Sequence, residues 1–132
     1  MVTYTFRLKP DEDLFNEIEM VVLGKNIQAG CVLCSVGSLK RANIRLANLE
    51  KNTEYEGYFE IVSLTGTVST NGSHLHISFS DSEGKTIGGH LLPGCKVYTT
   101  AEIVFASFDD VIYKRELIPD DSGYQELVVY DR

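Results

Sequence analysis

The chain has 132 residues, of which 43% are hydrophobic and 23% charged, and its formal net charge is −7 at pH 7. This length suits one domain, residues 1–132, with enough apolar side chains to fold without disulfides. The acidic excess disfavours nonspecific binding to the phosphate backbone of nucleic acids. No secretory signal is evident at the start, and no apolar run reaches the roughly 20 residues that span a bilayer, so we expect a cytoplasmic protein without membrane contact.

The first two predicted elements are a strand and a helix. Residues 2–8 alternate apolar and polar side chains, which is typical of a strand with one buried face. Pro10 ends this strand, and Asp11 can cap one long helix. Apolar side chains at helical spacing predict that helix, namely Leu14, Phe15, Ile18, Val21 and Val22. Gly24 or Asn26 can close it, and we expect it to cover one face of a sheet.

Two strand-like segments follow, residues 31–39 and 42–49. The first contains Cys31 and Cys34, whose spacing can indicate a redox or zinc site. Residues three apart in a strand point to opposite faces, so we interpret both as small buried thiols. Together with Cys95 they are too few, and odd in number, for a disulfide framework, which agrees with a reducing compartment.

A basic cluster and two glutamates can each have either a structural or a functional role. The densest basic cluster comprises Lys40, Arg41 and Arg45, and we interpret it as a solvated strand edge, with an anion site as the alternative. Residues 50–57 predict an exposed loop. Glu60 then interrupts an apolar strand, and Glu102 interrupts a later one. Each is either a functional carboxylate, acting as a catalytic base, or part of an ion pair at an edge or a subunit interface.

All three histidines lie in residues 71–92. Asn71-Gly72 predicts a type I′ hairpin turn, because both central residues of that turn need positive φ. With this turn, Ser69 and Thr67 would face the first two histidines, and Glu60 would lie away from them within its own chain. Gly84 in the next loop predicts a second hairpin.

The register of the second hairpin decides whether the histidines meet. If Ser80 pairs with Thr86, His76 lies directly opposite His90, and His74 is two residues along the same face. Three imidazoles can bind zinc or another divalent metal and leave a fourth position for water. A slip of one residue would send His90 to the other face. The alternative is that the histidines are ordinary surface or core residues.

The remaining sequence predicts further strands. Pro93-Gly94 is a turn, residues 96–108 form a long strand, and two more strands end the chain. The count is about eight strands and one helix, which gives an α+β fold with a mainly antiparallel sheet. Subunit pairing is one way to cover the edges of such a sheet.

Several segments resemble the plant-and-prokaryote conserved (PPC) domain in its stand-alone prokaryotic form. They are GSLKRANIRL at 37–46, GYFEIVSLTGTVS at 57–69, HLHISFSD at 74–81, EGKTIGGHLLPG at 83–94 and AEIVF at 101–105. The resemblance covers nearly the whole chain. It implies an α+β fold, a homotrimer, and a metal held by His74, His76 and His90 near a subunit interface. The family label is "predicted DNA-binding protein", but the Arg-Gly-Arg-Pro AT-hook of plant members does not occur here.

Two functions from different classes follow from these observations. The first is a homotrimeric module that binds a metal or small molecule and is linked to gene regulation, as the family label suggests. The second is a zinc-dependent enzyme of the hydrolase type, in which zinc on the histidines lowers the pKa of a bound water to about 7. Glu60 or Glu102 from another subunit would then be the general base. No H-E-x-x-H motif places a base beside the metal.

Overall fold

The computed structural model describes residues 1–132. Eight strands form where apolar and polar side chains alternate, and the only helix forms where apolar side chains recur at helical spacing. The predicted α+β class, mainly antiparallel with about eight strands, is confirmed. The elements are β1 (Val2–Leu8), α1 (Leu14–Gly24), β2 (Ala29–Arg45), β3 (Thr53–Ser69), β4 (Gly72–Ser80), β5 (Thr86–Leu91), β6 (Lys96–Ser107), β7 (Val111–Leu117) and β8 (Gln125–Asp131).

Six strands form one antiparallel sheet in the order β1-β6-β2-β3-β4-β5. The long strand β2 joins its parts, because β3 pairs along one side of it while β6 and then β5 pair along the other. The pairing of Ile44 with Leu91 and of Arg45 with His90 brings β5 back to β2, so β2 to β5 close on themselves. Strands β7 and β8 form a separate hairpin.

The helix is short rather than long, with 11 residues, and Asp13 caps it instead of Asp11. Asp13 has the extended backbone of an N-cap residue, and its carboxylate accepts a hydrogen bond from the Asn16 amide. Asp11 has a φ of 72° and therefore lies in a turn before the helix. The end is as predicted, since α1 stops at Gly24 and Asn26 takes a left-handed φ of 51°. α1 is not long and apolar enough to cross a membrane.

The core lies between α1 and the sheet. The helix buries Leu14, Ile18 and Val22, and the sheet contributes large side chains that include Phe79 and Phe105. Tyr55 and Phe59 pack edge-on against Phe79. This cluster holds β3 against β4, the strand that carries two of the histidines.

Three local predictions need correction. The segments 31–39 and 42–49 belong to one strand, β2, which ends at Arg45, so that residues 46–49 lie outside it. An irregularity between Leu39 and Arg41 absorbs the break in alternation. The predicted loop 50–57 is shorter, because β3 already begins at Thr53. Cys34 is exposed and Cys31 only half-buried, since the pairing of β2 with β6 shifts between Val32 and Cys34.

Candidate metal centre

Two consecutive hairpins bring the three histidines together. Ser80 pairs with Thr86, so His76 lies directly opposite His90, as the predicted register requires. Because opposed residues share a face of the sheet, these imidazoles are neighbours, and His74 is two residues along the same face. The register prediction is therefore confirmed, and each histidine is held by a paired strand rather than by a loop.

The first of these hairpins turns one residue earlier than predicted. Thr70 and Asn71 are the turn residues, β4 begins at Gly72, and Gly72 pairs with Ser69. Asn71 does not take the positive φ of a type I′ turn; its side chain instead exchanges two hydrogen bonds with the backbone of Arg115. The register moves by two residues, which preserves the faces, so Thr67 rather than Ser69 lies opposite His74.

The imidazoles are close enough to share one ion. Ring centroids are 5.0 Å apart for His74 and His76, 5.2 Å for His74 and His90, and 5.7 Å for His76 and His90. One ring nitrogen from each histidine lies within 4.8 Å of the others. In a tetrahedral zinc site the corresponding separation is about 3.4 Å, given Zn–N bonds near 2.0–2.1 Å. Small side-chain rotations close that difference.

The electrostatics keep two of the histidines in the form that binds metals. Burial lowers the pKa of His90 to about 4, and the positive charge of Arg45 adds to this effect. Burial also lowers the pKa of His74, with Arg115 as the next cause, while Glu126 acts in the opposite direction. His90 Nδ1 is buried and has no hydrogen-bond partner. A neutral imidazole with an unpaired buried nitrogen fits a divalent metal, which binds that lone pair.

Acid is expected to destabilise the metal-free protein through these histidines. An unfolded histidine titrates near 6.5, whereas the pKa of His90 in the fold is about 4. The unfolded state therefore binds more protons between these values, and stability falls as pH is lowered from about 6.5 toward 4. Urea unfolding of chelator-treated protein at about pH 7 and pH 5 measures this loss. We expect a smaller loss in His90→Asn; equal losses in both proteins would contradict the assignment.

A cleft of about 500 Å³ opens beside the imidazoles. Its lining comes from three separate parts of the chain: Arg45 of β2, residues 71–74 and His90 of the hairpins, and Arg115, Tyr124, Gln125 and Glu126 of the C-terminal hairpin. Sequence reasoning did not find Arg115 or Glu126, because nothing in the order of residues shows that β7 and β8 fold back beside β4. A smaller pocket of about 200 Å³ is lined by His74 and His76 together with Thr65, Gly66 and Thr67.

The structure divides the predicted basic cluster. Lys40 forms an ion pair with Asp11 and Arg41 one with Glu54, both at the exposed surface, as expected of a solvated edge. Arg45 is different, since it lies directly opposite His90 and lines the cleft. Arg45 is exposed, as the interpretation as a solvated edge predicts, and its place beside the cleft also agrees with the alternative of an anion site.

The two predicted carboxylates lie outside this cleft within one chain. Glu60 is opposite Ser80, four residues along β4 from His76. Glu102 is opposite Val36 on β2 and Arg7 on β1. Both are exposed. A catalytic role for either one stays a prediction that depends on a second subunit.

Fold and site together define a small α+β domain with a three-histidine cluster at the rim of a polar cleft. The family model of the Plants and Prokaryotes Conserved (PCC) domain, also written PPC, matches residues 1–109. The chain belongs to this family, as its sequence resemblance indicates. Strands β7 and β8 lie beyond the matched residues.

Individual proteins are also similar to this chain. The bifunctional protein GlmU of Synechococcus sp. (strain JA-3-3Ab) is 44% identical over 125 residues, which are 94% of this chain and 20% of that protein. The chain thus spans about one fifth of the length of this curated relative. A solved structure of a hypothetical protein from Salmonella enterica is 34% identical, with a TM-score of 0.96 over 99% of this chain and 94% of that one.

A more distant structure shares the fold. It is a protein from Archaeoglobus fulgidus described as metal-containing, 24% identical, with a TM-score of 0.82 over 97% of this chain and 94% of that one. At this identity the likeness concerns the fold alone.

Proposed function

We propose that this protein is a metal-dependent binding module in which His74, His76 and His90 hold zinc or another divalent metal and present it to a small ligand. The observation that carries the proposal is the convergence of three ring nitrogens within 4.8 Å on paired strands. Three histidine ligands leave a position open for a ligand, as in catalytic zinc sites. The description of the Archaeoglobus fulgidus protein as metal-containing is consistent with it.

The surroundings suit binding of a small molecule. The cleft has the volume typical of a small-molecule site. Only one of its ten lining residues is hydrophobic, which suits a polar or charged ligand. One fifth of GlmU of Synechococcus is similar to 94% of this chain, which supports the view of a module that also occurs attached to longer proteins. The direct test is the metal content of protein purified without a histidine tag. We expect about one ion per subunit, and no ion even after incubation with zinc would refute the proposal.

The proposed assembly is a homotrimer, and an apolar outer face supports self-association. This face comprises exposed side chains on three neighbouring strands: Leu33 and Val36 of β2, Tyr58 and Val62 of β3, and Tyr98 of β6. Val36 is 58% exposed and Val62 56% exposed, although both lie in the middle of paired strands rather than in loops. Contiguous exposed apolar side chains of this kind mark contact surfaces, and a second copy of the chain is the proposed occupant.

Replacing Val36 by aspartate is expected to convert the trimer into monomers. The carboxylate would have to be buried without a partner in the subunit interface, at a cost of several kcal/mol. Sedimentation velocity of Val36→Asp and of Leu23→Asp makes a matched comparison, because Leu23 is 83% exposed on α1, away from the outer face. We expect only Val36→Asp to sediment as a 14.7 kDa monomer. A wild-type protein that is already monomeric would refute the assembly.

A zinc-dependent enzyme of the hydrolase type is the second candidate, and the open position beside three histidines favours it. A metal there would supply Lewis-acid activation of a carbonyl or phosphoryl group. Glu60 and Glu102 flank the apolar outer face, since Glu102 pairs with Val36 and Glu60 lies two residues from Val62. In a trimer they would reach a neighbouring subunit. Within one chain, Glu126 is the carboxylate that lines the cleft and the better-placed proton acceptor.

Direct DNA binding is not part of the proposal. Three subunits would carry a formal charge of −21, three times the −7 of one chain, and this charge repels the phosphate backbone. A link to gene regulation stays a prediction from the family label. The cytoplasm is the proposed location, because the three cysteines form no disulfide framework.

A further inference from the structure

Two arginines from distant parts of the chain converge on the cleft beside the histidines. Arg45 extends from the end of β2 directly opposite His90. Arg115 extends from β7, and its guanidinium donates a hydrogen bond of 2.7 Å to the hydroxyl of Thr67, the residue opposite His74. Both line the same cleft. The two positive charges therefore flank the imidazole cluster from two sides.

Neither arginine has an ion-pair partner. The ion pairs of the chain join Met1 to Asp109, Lys40 to Asp11, and Arg41 to Glu54. Arg115 is half-buried, and its Nε is buried without a hydrogen-bond partner. Glu126 lines the same cleft but forms an ion pair with neither guanidinium. Arg45 is exposed, so the unsatisfied group is the buried Nε of Arg115, which is unfavourable unless a ligand accepts its hydrogen bond.

The position of Arg115 is fixed by the fold rather than by a flexible tail. Its backbone N–H donates to the Asn71 side chain, whose amide donates back to the Arg115 carbonyl. Backbone hydrogen bonds also join Tyr113 to Gln28 and to Thr70. This anchoring aligns the guanidinium before any ligand arrives, which reduces the entropy cost of binding. The hairpin that carries Arg115 lies beyond residues 1–109, which match the family model.

We propose that Arg45 and Arg115 form an oxyanion-binding site next to the histidine cluster, and that the small ligand is a carboxylate or a phosphate with a further oxygen directed at the metal position. Guanidinium groups match both anions through paired N–H donors. Ser73, Tyr124 and Gln125 add polar groups around the same space. The contact between the ligand and the metal rests on the proposed function. The contact between the anion and the two arginines does not require the metal.

The test is isothermal titration calorimetry with inorganic phosphate and, separately, malonate. The protein is used both free of metal and with one equivalent of zinc, after removal of free zinc. We expect one anion per subunit, and at least about tenfold weaker binding in Arg115→Gln and in Arg45→Gln. Arg41→Gln is the matched control, because Arg41 lies on the same strand but pairs with Glu54. Arg115→Lys should be intermediate, since it keeps the charge and loses the fork.

The outcomes separate this site from the metal site. Zinc binding without any anion binding would overturn the oxyanion site and leave the metal proposal intact. Anion binding that depends on both arginines but occurs in a protein unable to bind zinc would support the oxyanion site and overturn the metal. Equal anion affinity in Arg45→Gln, Arg115→Gln and wild type would overturn the oxyanion site, provided that thermal unfolding shows the variants to be folded. Tighter binding of phosphate or of malonate identifies the ligand class.

Discussion

Replacing His90 by alanine is expected to lower the zinc affinity of the protein by more than about 100-fold, because loss of a partner that merely orients a ligand already costs 10–100-fold. His90 is the residue that the other two cannot replace, since it comes from β5 while His74 and His76 share β4. Without it, only the two imidazoles of β4 remain, fewer than the three or four protein ligands usual for zinc. Competition with a chromophoric chelator measures the affinity, and metal content per subunit gives the stoichiometry.

Ser80→Ala is the control for this experiment. Ser80 lies on the same strand as His76 and is paired with Thr86, so the variant changes a polar side chain of the same hairpin without touching an imidazole. We expect wild-type zinc affinity in Ser80→Ala, and unchanged folding in both variants by circular dichroism. If His90→Ala binds zinc as tightly as wild type, the ion is held elsewhere and the three-histidine assignment is wrong.

Replacing Gly66 by alanine is expected to destabilise the protein by more than about 4 kcal/mol, which belongs to the largest effects of single substitutions. Gly66 has a φ of 149° and pairs with Leu75 on β4. A Cβ atom at this position would overlap the carbonyl oxygen of His74 and approach the Leu75 Cα, which are backbone atoms that cannot rotate away. Strands β3 and β4 would have to separate where β4 carries the histidines. Zinc affinity should therefore fall together with stability.

Gly72→Ala separates the steric effect from the backbone effect. Gly72 also has a positive φ, 136°, but an added Cβ would meet no atom within 4 Å. Its substitution should therefore cost only the conformational strain of about 1–3 kcal/mol. Urea unfolding of both variants gives the comparison. Equal destabilisation would show that strain alone, rather than overlap with His74, explains the requirement for glycine at 66.

The histidine cluster was predictable because it depends on local geometry. Side chains alternate along a strand, so His74 and His76 share a face by spacing alone. The loop around Gly84 is short, and its length fixes which residues of β4 and β5 face each other. His90 therefore had to oppose His76 once the two strands paired through Ser80 and Thr86. Nothing beyond this hairpin was needed to bring the three imidazoles together.

The predictions that were wrong concern local features that depend on hydrogen bonds to distant residues. Asn71 would favour the predicted type I′ turn in isolation, but its side chain binds the Arg115 backbone on β7, and the turn moves by one residue. Asp11 and Asp13 are both acceptable N-cap residues, and the choice is made by the long-range bond from the Gly94 amide to the second Asp13 carboxylate oxygen. Such contacts leave no periodic signal in the sequence.

Side-chain periodicity and short loops are enough to predict the α+β class, the antiparallel hairpins and the shared face of the three histidines. The arginines that surround the histidines, in contrast, are brought there by the tertiary structure. Closure of β2 onto β5 places Arg45 opposite His90, and the return of β7 to Asn71 places Arg115 near His74. Arg45 is 45 positions before His90 in the chain, and Arg115 follows it by 25 positions. They become neighbours of the histidines only in the folded chain, because pairing between distant strands depends on packing of the whole chain.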